Sequence, residues 1–201
     1  QIADKFNEMQ MGMISANRVF EILDNKTEVQ QQGNLEATTF KGEIEFDNVH
    51  FEYIKDEEVL KGISFKVHQA QTIAIVGSTG AGKTTIINLL NRFYEIKSGK
   101  ITIDNQNINE FTLPSLRRQI AVVLQDVFLF ADTIFNNITL NDPSISRETV
   151  IAAAQKIGVH DFIMSLPEGY DYNVKERGIM LSSGQRQLIA FLRSYVCNPS
   201  I

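Results

Sequence analysis

The sequence predicts an α/β fold, and three observations carry that prediction. An apolar run at residues 72–76 passes through a glycine-rich loop into a stretch with helical spacing, short alternating segments precede it, and helix-period segments dominate after residue 147. In that order they point to an α/β core with an antiparallel β portion and a more helical second half. The 201 residues carry 19 Lys+Arg against 24 Asp+Glu, a net charge of −5. With 43% hydrophobic and 21% charged residues, the composition is that of an ordinary globular chain, which at this length buries roughly 70% of its unfolded surface. Wholesale disorder is excluded. An acidic balance without any long block of like charge also argues against nucleic acid as a partner.

Along the chain, Ile2, Phe6, Met9, Met13, Ala16, Phe20 and Leu23 recur in alternating steps of four and three. That is one stripe of an amphipathic helix over residues 1–24. The stripe suits a packed terminal helix and a helix docked on something outside the chain equally. Residues 25–41 turn polar, with Asn25, Gln30, Gln31, Gln32, Gly33 and Asn34, and read as a linker whose boundary falls near Thr39. The compact domain then covers residues 42–201. Ile44 and Phe46, followed by Val49, Phe51 and Tyr53, alternate in two phases broken at Asp47–Asn48, as a bulged or interrupted strand does. Residues 63–67 and 72–76 read as two further strands. Ile86, Leu89, Leu90 and Phe93 fall at helical spacing, so the period switches at about Lys83. Short strands are expected at 100–103 and 120–124, a helix at 147–157 with Ser146 as N-cap and Gly158 at its end, and a last helix at 183–196.

No stretch approaches the roughly 20 apolar residues that cross a bilayer, and Gln1–Gln10 lacks a signal-peptide pattern. The chain itself is therefore expected neither to span a membrane nor to be secreted. A single cysteine, Cys197, cannot form an internal disulfide, which fits a reducing compartment.

The strand-like run at 72–76 leads into Gly77, Ser78, Thr79, Gly80, Ala81, Gly82, Lys83 and Thr84, with Thr85 next. This satisfies G-x-x-x-x-G-K-[ST] at every fixed position. A plain glycine-rich turn has a similar composition, but a chance match in a chain of this length is on the order of 1 in 100. The physical sense is a backbone curl whose N–H groups face inward at a helix start, a nest for anionic phosphates. Lys83 reaches the β- and γ-phosphates, and the Thr84 hydroxyl joins a Mg2+ shell. Guanine reading finds no support, because the one Asn–Lys pair, Asn25-Lys26, precedes the loop and runs into Thr27-Glu28. His50, His68 and His160 have no metal-ligand spacing.

Leu181-Ser182-Ser183-Gly184-Gln185-Arg186-Gln187 precedes the last helix. Its Ser182 and Gln185 have capping-box spacing, which a well-capped helix alone would explain. Beside the phosphate loop, this stretch resembles the L-S-G-G-Q signature of ATP-binding cassette (ABC) transporters, and the resemblance covers nearly everything from Gly42 onward. Tyr53 looks like the family's adenine-stacking aromatic. Val123-Leu124-Gln125-Asp126 is similar to its Q-loop, whose glutamine touches Mg2+ and the attacking water. Glu176-Arg177-Gly178 resembles the loop of exporters that meets the membrane domain, and Ser15–Asp24 looks like the stretch leaving the last membrane helix.

The resemblance implies a P-loop NTPase core with an antiparallel β subdomain and a helical signature subdomain, using ATP and Mg2+. It implies a nucleotide-binding domain that shares its polypeptide with a transmembrane domain of an exporter, on the cytoplasmic face of the cell membrane. Two such domains, like or unlike, would pair head to tail. Ser182, Ser183, Gly184 and Gln185 of one would then face the γ-phosphate on the other. Lys83 and Gln125 carry the catalytic roles, and Thr84 and Gln125 the metal contacts.

Two residues depart from the family: Ser183 stands for the signature's first glycine, and Leu188 for a basic residue. A serine there would approach a phosphate less freely if the position needed a positive φ. After Asn198-Pro199 the family continues into the Walker B strand with its catalytic carboxylate, so this C-terminal part of the fold is expected to be missing from residues 1–201. Two other readings stay open, a module that binds nucleotide without turnover and a self-contained small P-loop NTPase or kinase using Asp104. For Asp104-Asn105 a turn is the better reading.

Overall fold

The computed structural model describes residues 2–24 and 33–201. β1 (Ile44–Ile54) and β2 (Glu57–Val67) form a long hairpin. With β3 (Ser98–Ile103) and β4 (Gln106–Asn107) they make an antiparallel sheet ordered β2-β1-β3-β4. Phe46 pairs with Phe65 and Val49 with Ile63, so β1 holds one extra residue at Asp47–Asn48, where the sequence alternation breaks. The Asn48 N–H left over there donates to Ser64 Oγ at 2.8 Å. Beyond this bulge, Phe51 is buried and Tyr53 is half exposed.

α2 (Lys83–Leu90) packs Leu89 and Leu90 into a core shared with Phe46, Val49, Phe51, Leu60, Ile101 and Ile103. Its carbonyl end is clamped by cations. Buried Arg92 donates to the carbonyls of Ile108 at 3.3 Å and Phe111 at 3.0 Å. Arg117 donates to those of Asn91 at 3.0 Å and Arg92 at 2.8 Å. Positive charge at a helix C-terminus is favourable, and the clamp fixes the helix whose other end opens the glycine-rich loop.

The second half builds a separate helical core. α3 (Leu113–Arg118) still belongs to the first core. α4 (Ile134–Thr139), α5 (Arg147–Lys156), α6 (His160–Met164) and α7 (Ser183–Val196) bury Ile134, Ile138, Val150, Ala154, Ile163, Ile189 and Leu192 together. α5 starts as expected, with Ser146 Oγ accepting the Thr149 N–H. α7 spans its expected residues.

Residues 72–76 and 120–124, expected as strands, are not paired into the sheet. An apolar run becomes a parallel strand only where neighbouring strands complete its ladder, and among the described residues neither run has such a ladder. Ile73, Val123 and Leu124 are exposed, and Val76 is 87% exposed. One foothold exists: Ile201 N–H donates to Gln119 O at 3.0 Å, and Ala121 N–H donates to Ile201 O at 2.9 Å.

α1 (Ile2–Leu23) is the helix the stripe predicts, and its Phe6, Met9, Met13, Phe20 and Leu23 are all exposed. Of the expected linker, residues 25–32 lie outside the described residues, and 33–41 are fastened to the domain. Leu35 N–H donates to Glu110 O at 2.9 Å, Ala37 N–H to Ser115 Oγ at 2.9 Å, and the Phe40 ring meets Phe111 edge-on at 5.3 Å.

Candidate functional site

α2 opens at Gly82, whose φ of 85° and ψ of 10° are left-handed, and no side chain caps it. A Cβ on Gly82 would lie 2.7 Å from Leu60 Cδ2, so the loop can turn tightly beside β2 only with glycine there. Gly80 is left-handed too, at φ 84°. The first-turn N–H groups of α2 and its positive end are thus left for a ligand. Lys83 Nζ folds back over the loop and donates to the carbonyls of Gly77 at 2.9 Å and Ser78 at 2.7 Å. Those neutral acceptors are weaker partners for an ammonium than an anionic phosphate oxygen. Thr84 lies exposed in the first turn. Backbone amides and an ammonium suit a polyphosphate, and a free hydroxyl suits a hard cation such as Mg2+. When bound, Mg·ATP would supply the transferable phosphoryl group, and Gly77–Thr84 would hold it.

The structure brings Tyr53 to this helix. Its hydroxyl lies 3.1 Å from Thr85 Oγ1 and accepts from Asn88 Nδ2 at 3.4 Å. Its ring stands perpendicular to Phe51 at 4.7 Å and to Tyr94 at 5.0 Å. On the same sheet Lys97 donates to Glu52 at 2.8 Å and Glu58 at 3.3 Å. The Lys97 hydrogen bond holds the Glu58 carboxyl below its ordinary range.

The second constellation forms around the start of α7. Ser182 Oγ accepts the Gln185 N–H at 3.2 Å, and Gln185 Oε1 accepts the Ser182 N–H at 2.8 Å. This capping box satisfies two donors and leaves the N–H groups of Ser183 and Gly184 without an intrahelical partner. Ser183 has helical backbone inside α7, so a serine in place of the family's glycine costs no left-handed strain. A Cβ on Gly184 would meet nothing within 4 Å.

Gln125 joins this second group. With Asp126, Lys175, Glu176, Arg177 and Ser183 it lines a cleft of about 840 Å³, and Gln187 Nε2 approaches its carbonyl at 3.5 Å. Among the described residues no hydrogen bond joins Gln125 to Lys83 or Thr84. Lys175 (φ 60°, ψ −174°) and Arg177 (φ 54°, ψ 16°) both hold positive-φ backbone, strain of the sort that gathers at ligand clamps and switches.

Sequence reasoning missed how the segment that follows Gln125 is tied to α4 and α7. Asn137, fully buried, accepts the Phe130 N–H at 2.8 Å and donates to the carbonyls of Phe130 and Thr133 at 3.0 Å each. Arg193 Nε then donates to Asn137 O at 2.8 Å, and burial pushes the Arg193 guanidinium down from its ordinary pKa. A local signal existed in Thr133-x-x-Asn136, where Thr133 Oγ1 caps α4 by accepting the Asn136 N–H. Nothing local announces Arg193.

Asp104 is no metal ligand in waiting. Its carboxylate accepts the N–H groups of Lys41 at 2.6 Å and Glu43 at 3.0 Å. With Asn105 it forms the left-handed pair, φ 50° and 66°, of a tight β3–β4 turn.

Comparison with known proteins follows the same residues. The ABC transporter family profile matches residues 60–201. The chain is 44% identical over 202 residues to the uncharacterized ABC transporter ATP-binding protein YknV of Bacillus subtilis, covering 100% of this chain and 33% of that protein. It is 46% identical over 197 residues to mouse ATP-binding cassette sub-family B member 6, covering 98% of this chain and 23% of that protein. The structure of a bacterial Atm1-family ABC exporter with ATP bound superposes with a TM-score of 0.83 at 42% identity, over 96% of this chain and 34% of that one. The chain thus spans between about a quarter and about a third of the length of these relatives.

Proposed function

This chain belongs to the ABC transporter family, and from that premise we propose that residues 42–201 form the ATP-binding part of an exporter, with 25–41 as a linker and 1–24 leading from its last membrane helix. It binds Mg·ATP and pairs head to tail with a second nucleotide-binding domain, like or unlike itself. Hydrolysis then powers export from the cytoplasmic face of the membrane. The observation that carries this reading is the uncapped start of α2, with Lys83 folded over loop carbonyls and Thr84 exposed beside it. No helix among the described residues is long and apolar enough to cross a membrane, and the relatives extend well beyond the stretch this chain matches.

Each residue then has a task. The backbone N–H groups from Gly77 through Gly82, including those of Ser78, Thr79 and Ala81, wrap the phosphates. With nucleotide bound, Lys83 would neutralise the β- and γ-oxygens, Thr84 and, once brought to it, Gln125 would hold Mg2+, Gln125 would orient the attacking water, and Tyr53 would stack on adenine. The unpartnered Ser183 and Gly184 N–H groups and the Ser182 hydroxyl face the γ-phosphate held by the partner domain, with Gln185 keeping the helix start in shape. The open space in front of Gly184 supports an approach from outside. No residue of 1–201 is assigned as the general base, and residues 1–201 alone would bind nucleotide and turn it over poorly.

Equilibrium binding of Mg·ATP to the full-length protein and its Lys83→Ala variant tests the reading. It predicts a loss of about 100-fold or more. Unchanged affinity would overturn it.

A further inference from the structure

A ring that stacks on a base needs only its π-face, and a phenylalanine would serve. Tyr53 has more than that. Its hydroxyl turns onto α2 and meets Thr85 Oγ1 at 3.1 Å, with Asn88 Nδ2 at 3.4 Å, although the residue is 47% exposed and its hydroxyl could have pointed into water. Thr85 is only 4% exposed, and a buried hydroxyl requires a partner. Thr85 and Asn88 stand three apart, on one face of α2. Perpendicular contacts from Phe51 and Tyr94 leave the ring little freedom to swing.

We propose that Thr85 is a positioning residue for Tyr53, latching its hydroxyl to the helix that opens the phosphate loop so that one rigid element sets both the ring plane and the phosphate nest; Asn88 adds a second, longer contact. The proposal rests on the reading of Tyr53 as the adenine platform. Pre-setting the ring lowers the cost of immobilising it when the nucleotide arrives. The benefit falls on ligands that carry a base and is absent for phosphate chains alone. ATP thereby gains an advantage over its own triphosphate moiety that stacking area by itself would not give.

The test compares Mg·ATP with Mg·tripolyphosphate, which lacks the base, by titration calorimetry on the full-length protein. The ratio of the two affinities is read because it does not depend on the folded fraction. Tyr53→Phe is expected to lower that ratio about threefold to tenfold, the worth of one hydrogen bond, with tripolyphosphate binding unchanged. Adding Thr85→Val to Tyr53→Phe should lower the ratio no further, and Tyr53→Ala should lower it more than Tyr53→Phe does. If Tyr53→Phe keeps the wild-type ratio while Tyr53→Ala loses it, the latch is wrong and the platform stands. Should Thr85→Val weaken both ligands equally, Thr85 acts on the phosphates and the latch is again wrong. A wild-type ratio in Tyr53→Ala overturns the platform itself.

Discussion

The starts of α2 and α7 are both helix N-termini set among small residues, and they are finished in opposite ways. At α2 a left-handed Gly82 leads in, no side chain caps the turn, and Lys83 bends back over the loop carbonyls. At α7 Ser182 and Gln185 close a reciprocal cap, and the residues that follow are plainly helical. The first end leaves its first-turn N–H groups without a side-chain cap. The second is a sound helix start on its own terms, with two spare N–H groups and room in front of them. On our proposal this difference separates a site that binds from within the chain from one that acts on something brought to it.

Substitutions at the two glycines should break the comparison most visibly. Gly82→Val places a branched side chain at left-handed φ against Leu60, and it is expected to cost about 3 kcal/mol of stability and to abolish ATP binding. Thermal melting beside a binding titration checks both. Removing the cap in Ser182→Ala should cost about 1 kcal/mol and lower the melting temperature, with ATP binding retained. Gly184→Ala has the opposite sign. Helical backbone and open space let alanine stabilise the fold by about 0.5–1 kcal/mol, while the close approach we assign to Gly184 predicts slower turnover. A variant that melts higher and hydrolyses at the wild-type rate would remove the functional reason for the glycine.

The smallest effect concerns acid. Arg147 forks onto Asp171 at 2.9 and 2.6 Å and holds that carboxyl below its ordinary range. A depressed carboxyl contributes stability above its unfolded pKa, near 3.9, and loses it as pH falls through the folded value. The pair is solvent-exposed, so a slight fall in melting temperature below about pH 4 is expected, and Asp171→Asn should flatten it.

What was legible in the sequence follows the range of the interactions. Ser146 and Ser182 cap their helices through bonds to residues three positions on, and the glycine spacing of the phosphate loop is equally local. The bulge at Asp47–Asn48 showed as a slipped alternation. The strands expected at 72–76 and 120–124 have the right apolar runs, but a strand is made by its neighbours and the ladder is not in the run itself. Arg193 on Asn137, and Tyr53 on Thr85, join residues 56 and 32 positions apart, where no periodicity can signal a contact. The candidate site was therefore readable at its two anchor motifs and unreadable in what orients them.

The most direct test of the division between the two helix starts measures ATP binding and phosphate release together in full-length Lys83→Ala and Gly184→Asp variants. Lys83→Ala should lose both. Gly184→Asp should bind ATP within about threefold of wild type yet release phosphate about 100-fold more slowly or worse, because a carboxylate stands where N–H groups should meet the partner's phosphate. Wild-type turnover in Gly184→Asp, or loss of binding equal to that of Lys83→Ala, would contradict the account.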